Sequence, residues 1–134
     1  MKWAKAAAPS LDDIADLAEA ARAALPAPFA KPAREVLIRV VELADDAMLD
    51  SVGVEDPFEL TGMYDGIPLT EKSVAHQPIG PDVIWLFRRP ILDEWADRGD
   101  VALADLVAHV LVHELAHHFG WSDADIAKID RWWE

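Results

Sequence analysis

The feature that most restricts the fold is a long apolar segment, VALADLVAHVLVHELAHHF, at residues 101–119. Its leucines and valines predict a helix, and they spread around nearly the whole circumference of that helix. Because a helix that is apolar on all sides is buried, the segment predicts a central helix against which the rest of the chain packs. Gly120 follows directly, and a glycine commonly stands just past the end of a helix.

Four histidines and a glutamate interrupt this apolar helix. His113 and His117 are four residues apart, which places their rings on one face with Cβ atoms about 5–6 Å apart. Two imidazole nitrogens can then bind one metal ion. Glu114, turned by about 100° from His113, can accept a proton from the water that such an ion activates. The spacing is the H-E-x-x-H arrangement of zinc peptidases; accidental spacing, with the histidines bonded to neighbouring groups, is the alternative.

A catalytic zinc ion takes three protein ligands and keeps one position open. The chain has no cysteine, so the third ligand is a histidine or a carboxylate. Gly120 can turn the chain back towards the site, which makes Asp123 the best-placed candidate, with Asp125 and Asp130 as alternatives. Asp123 could instead serve only as an acidic residue in the first turn of a last helix.

Two further histidines lie on the same segment. His109 continues the face of His113, but it is about 12 Å along the helix axis from His117, too far to share an ion with it. We therefore expect His109 to support the site or to belong to the core. His118 is turned by about 100° from His117, and we expect it to be packed or to lie at the rim of the site, with a substrate contact as the alternative.

The N-terminal half predicts helices and one buried strand. Ser10 is a suitable N-cap for a helix over LDDIADLAEAARAAL, and PAPFAKP, residues 26–32, is expected to end that helix and form a loop. Residues 35–43 would serve either a helix or a strand, and their β-branched run favours the strand. A short helical turn is expected at 45–51.

The remaining segments predict a hairpin, a second buried strand and two helices. FELTGMYDGIPLT reads as strand, turn and strand around Asp65-Gly66, and a loop is expected over residues 70–82. The other predictions are a buried strand at DVIWLF, a short helix at PILDEWADR that starts at Pro90, a turn at RGD and a last helix at SDADIAKIDRWW capped by Ser122.

Length and charge narrow the partners. The 134 residues fit one domain, 1–134, with residues 1–9 expected to be flexible. A net charge of −13 repels phosphate backbones and anionic lipid, so neither nucleic acid nor a membrane surface is an expected partner. No signal peptide or membrane-spanning run is recognisable, which favours a cytoplasmic location. The sequence contains no indication of oligomeric state.

Three motifs together resemble those of the small bacterial zincin-like metallopeptidase family: HELAHHFGWSD, LTGMYDGIPL and LFRRPIL. The likeness runs from about residue 54 to 126. It implies a minimal zincin-like fold of the α+β class, in which a small mixed sheet packs on a central active-site helix, with N- and C-terminal helices. It also implies zinc ligation by His113, His117 and Asp123, with Glu114 as the catalytic base.

The resemblance also implies a peptide or protein substrate. Zincins generally pair an extended substrate with an edge strand, and we expect GMYDG to lie near that edge. Tyr64 could then donate a hydrogen bond to the developing oxyanion; packing of its ring is the alternative. The leading hypothesis is a zinc-dependent peptidase. The second hypothesis is a metal-stabilised peptide- or protein-binding module without turnover.

Overall fold

Three strands form one mixed sheet. A computed structural model describes residues 8–66 and 82–120, apart from the side chain of Pro28. In this part of the chain the strands are β1 (Leu37–Val41), β2 (Gly62–Asp65) and β3 (Val83–Phe87), in the order β1-β3-β2. β3 runs parallel to β1 and antiparallel to β2. The predicted strands at 35–43 and DVIWLF are confirmed, as is the mixed sheet.

Five α-helices accompany the sheet in the described residues, which confirms the α+β class. They are α1 (Leu11–Ala23), α2 (Ala27–Ala33), α3 (Asp46–Val52), α4 (Arg88–Arg98) and α5 (Leu103–Phe119), and a short 3₁₀ turn spans Pro57–Glu59. None of the helices in the described ranges is long and apolar enough to cross a membrane.

Helix α5 is the central element that the apolar segment predicts. It packs against α1, α4, β2 and β3. Its apolar side chains join the main core, in which Leu106, Leu111 and Leu115 meet Ile84 and Leu86 of β3. The helix ends where predicted, because Gly120 adopts the left-handed conformation with φ of 78°.

Helix α1 begins at the predicted cap. The Ser10 hydroxyl accepts a hydrogen bond from the Asp13 N–H at 3.1 Å, and the Asp13 carboxylate accepts one from the Ser10 N–H at 2.8 Å. This capping box satisfies two backbone donors that the first turn of the helix leaves unpaired. At the other end of α1, the Arg22 guanidinium donates to the carbonyls of Ala33 and Val36, which ties the helix to the start of β1.

The loop prediction for residues 26–32 is wrong, because α2 occupies most of this segment. One proline lies in the first turn of α2, where its missing N–H would have had no intrahelical partner. Pro32 lies near the end of this seven-residue helix, so it removes a bond only from the last turn. A proline in the first turn is also tolerated in α4. This helix starts two residues before Pro90, where its start was predicted.

Other predictions concern residues beyond the described ranges. The first arm of the predicted hairpin is confirmed only as β2, because Phe58 and Glu59 at its predicted start lie in the 3₁₀ turn. The short helix predicted at 45–51 is α3. The second arm, most of the 70–82 loop and the last helix with its Ser122 cap all lie outside the described residues, as does most of the 1–9 segment.

Candidate active site

His113 and His117 lie side by side on one face of α5. Their ring centroids are 5.1 Å apart and the ring planes meet at 66°. Both residues are partly exposed, although most of the surrounding helix is buried. Two accessible imidazoles one helical turn apart suit a zinc ion, for which histidine nitrogen is a preferred ligand.

Glu114 lies beside this histidine pair and is nearly buried. The residue is 8% exposed, and its Oε1 lies 3.3 Å from Nδ1 of His117. A carboxylate that is largely withdrawn from water, yet adjacent to two accessible imidazoles, is suited to exchange protons with a reacting water. The geometry therefore brings together three of the residues that the sequence singled out.

Gly62 of β2 allows the sheet to approach α5 closely at this point. A Cβ atom at position 62 would lie 2.8 Å from Cγ1 of Val110, 3.2 Å from Cγ of Glu114 and 3.3 Å from the carbonyl oxygen of Trp85. The last of these is backbone and cannot move aside easily. The absence of a side chain at Gly62 therefore helps to fix where Glu114 lies.

We expect Gly62→Ala to destabilise the protein by about 1–3 kcal/mol, the usual range for overpacking in a close-packed interior. The added methyl group would also displace Glu114, so any catalytic rate that depends on this carboxylate should fall as well. Urea unfolding of the variant and of wild type measures the first effect. Ala104→Ser, at an exposed position of α5, is the control. Unchanged stability of Gly62→Ala would show that the sheet can shift away from the helix without cost.

A cavity of about 200 Å³ opens next to Glu114. Helix α5 lines it with His109, Val110, His113 and Glu114, α4 contributes Glu94 and Arg98, and Thr61 precedes β2. Arg98 donates to Glu94 at 3.0 Å, and both side chains are partly exposed. We expected His109 to support the site or to belong to the core, and it lines this cavity.

A buried polar cluster lies under the C-terminal end of α5. Nδ1 of His118 is 2.7 Å from Oδ2 of Asp82, and the Tyr64 hydroxyl donates to the same oxygen at 2.8 Å. The Tyr64 and His118 rings meet edge to face at 5.8 Å. Of the two placements expected for His118, the structure has the packed one, with 1% exposure. The oxyanion contact of Tyr64 stays a prediction.

Sequence reasoning missed Asp82, Glu94 and Arg98. The last two show the i, i+4 spacing of a surface ion pair, but nothing local shows that α4 places them beside the histidines. Within residues 8–66 and 82–120, no cluster of three histidines or carboxylates could hold a metal ion. Asp123, with its alternatives Asp125 and Asp130, lies outside these ranges and stays the predicted third ligand.

Comparison with protein-family models gives a match that covers most of the site and the fold. The model of a family described as zincin-like metallopeptidase matches residues 33–133, about three quarters of the chain. The matched region includes β1 to β3, α4, α5 and all the residues discussed for the site. No curated protein matched the sequence.

Proposed function

The chain belongs to the zincin-like metallopeptidase family, and we propose on that basis that it is a zinc-dependent peptidase that hydrolyses peptide bonds in peptides or proteins. The observation that carries the proposal is the arrangement of His113, His117 and Glu114: two accessible imidazoles on one face, with a nearly buried carboxylate beside them that lines the same cavity as His113. A purely structural metal site has no need of that carboxylate.

His113, His117 and Asp123 are the proposed zinc ligands. Imidazole nitrogen and carboxylate oxygen are both ordinary zinc ligands, and a set of three keeps one coordination position open for chemistry. When bound, zinc would polarise the substrate carbonyl and lower the pKa of water. Gly120 supports the proposed role of Asp123, because its left-handed conformation ends α5 and permits a sharp turn at that point.

Glu114 is the proposed general base and then the general acid. Its carboxylate would accept a proton from the water that attacks the scissile carbonyl, hold it at Oε1 or Oε2, and release it to the departing amine. The carboxylate lies 3.3 Å from Nδ1 of His117 and is largely buried, so it is held beside the histidine pair, where repeated proton transfer at one place requires it.

The cavity beside Glu114 is the proposed place for a substrate residue. At about 200 Å³ it holds a side chain rather than a whole peptide, so the rest of the substrate would lie across the surface. Arg98 and Glu94 at its wall supply one charge of each sign. Tyr64 as an oxyanion donor belongs to the same proposal, and it predicts a lower kcat for Tyr64→Phe.

Zinc content tests the metal site directly. We expect about one zinc per chain in wild type after zinc addition and desalting, and loss of most of it in His117→Ala and in Asp123→Ala, because each variant lacks one of three ligands. Elemental analysis measures this. His109→Ala is the matched control, since it removes a histidine from the same helix and should keep the zinc.

Three results would contradict parts of the proposal. A wild-type protein without zinc removes the metal site and the peptidase function with it. Loss of zinc in His117→Ala but not in Asp123→Ala means that another residue is the third ligand, with Asp125 and Asp130 the next to test. Loss of zinc in His109→Ala as well means that zinc binding also depends on His109, which the proposed ligand set does not include.

A further inference from the structure

Asp82 connects all three strands with helix α5. Its backbone carbonyl accepts a hydrogen bond from the Leu37 N–H at the start of β1, at 2.9 Å, and it directly precedes β3. Its side-chain Oδ2 accepts from the Tyr64 hydroxyl of β2 at 2.8 Å and lies 2.7 Å from Nδ1 of His118 on α5. A single residue therefore joins four elements of the fold.

The polar groups of this cluster are buried, and burying them costs free energy. The side chains of His118 and Asp82 are 1% and 3% exposed. Burying a carboxylate and an imidazole costs free energy that their mutual bonds only offset, and apolar side chains of similar volume often stabilise a fold as well or better. Global stability alone is therefore a weak reason for this cluster, whereas hydrogen bonds fix direction and distance in a way that apolar contacts do not.

The chain closes tightly around the cluster. A Cβ atom at Gly66 would lie 2.5 Å from both Cγ and Oδ1 of Asp82 and 2.8 Å from the Tyr64 hydroxyl oxygen. The Asp82 carboxylate and the Tyr64 hydroxyl can therefore lie where they do only because residue 66 has no side chain.

The residue that this cluster holds is next to a proposed zinc ligand. His118 directly follows His117 in the last turn of α5, two residues before Gly120. The last turn is the least restrained part of a helix, because its final carbonyls have no intrahelical partner. Successive residues of a helix are about 100° apart around its axis. A rotation of the last turn about that axis would therefore carry the His117 ring away from the His113 ring.

We propose that Asp82 and Tyr64, acting through His118, hold the last turn of α5 in the orientation that zinc binding requires, so that these three are positioning residues of the metal site. The inference rests on the proposed function, because it presupposes zinc at His113 and His117. It makes His118 a residue that sets the direction of its neighbour without touching metal or substrate.

The experiment compares two substitutions of His118 for zinc affinity. In His118→Asn, the amide nitrogen can occupy nearly the place of Nδ1 and still donate to Asp82, whereas His118→Leu has similar bulk and no donor. We expect His118→Leu to bind zinc about 10–100-fold more weakly, the usual loss when a supporting hydrogen bond is removed, and His118→Asn to stay within about threefold of wild type. Competition with a chelating dye, on protein shown by circular dichroism to be folded, gives the affinity.

A spectroscopic measurement separates positioning from stability. Cobalt(II) in place of zinc reports ligand geometry through its visible absorption bands. We expect those bands to shift and weaken in His118→Leu and to be preserved in His118→Asn. Tyr64→Phe removes one of the two bonds to Asp82 with little change of shape, so it keeps the test informative if His118→Leu does not fold; we expect its zinc affinity to fall measurably.

The possible results bear separately on the positioning role and on the proposed function. Unchanged zinc affinity and cobalt bands in folded His118→Leu, or in Tyr64→Phe where that variant replaces it, would overturn the inference while the proposed function stands. Equal loss in His118→Leu and His118→Asn would also overturn it, because the bond to Asp82 would then not be what matters. A wild-type protein that binds neither metal overturns the proposed function itself.

Discussion

Replacing Glu114 by glutamine is expected to lower kcat by about 10²–10⁴-fold, the contribution usual for a general acid–base residue, while zinc content stays at the wild-type level. Glutamine has nearly the same shape, so it fits the narrow space between Gly62 and the cavity. Its amide cannot accept a proton from the attacking water. The loss should therefore appear in kcat, with KM much less affected.

Two measurements are needed on each protein: kcat on a peptide selected from a broad library, and zinc per chain. Asp105→Asn is the control, since it removes an exposed carboxylate from the first turn of the same helix and should leave both values unchanged. Equal kcat for wild type and Glu114→Gln would remove Glu114 from the mechanism. A folded, zinc-loaded wild type that cleaves nothing in the library would favour the non-catalytic binding module instead.

The parts of the site that could be predicted are those that one helix determines alone. The four-residue spacing of His113 and His117 places both rings on one face wherever the helix lies, and Gly120 ends the helix by a local preference. The strand at Leu37–Val41 followed from its β-branched residues in the same way. Each of these depends on residues within a few positions of one another.

The parts that could not be predicted depend on contacts between distant segments. Asp82 is 36 residues from His118 along the chain, and their hydrogen bond exists only because β3 starts beneath the end of α5. Arg98 reaches the cavity because α4 packs beside α5, which no spacing in the sequence shows. Helix α2 could not be predicted for a different reason, because prolines usually break helices. A helix of seven residues, however, has little interior for a proline to break.

The second large effect concerns the opposite side of α5. Leu111→Ala is expected to destabilise the protein by about 2–5 kcal/mol, because it removes a buried side chain and leaves a cavity in the core. Leu111 is 0% exposed and packs in the main cluster. At 100° per residue it is turned by about 160° from His113, so the truncation lies away from the histidine face.

The two faces of α5 should therefore act independently, and zinc allows this to be tested. Zinc at about 100 times its dissociation constant should add about 2.7 kcal/mol to the unfolding free energy of any variant whose folded state binds it normally. Urea unfolding with and without zinc should give this same increment for wild type, for Leu111→Ala and for Val52→Ala, a control at a residue that is 44% exposed. A smaller increment in Leu111→Ala would mean that core packing sets the position of the histidines, because the helix would then have shifted as a body when its buried side lost support.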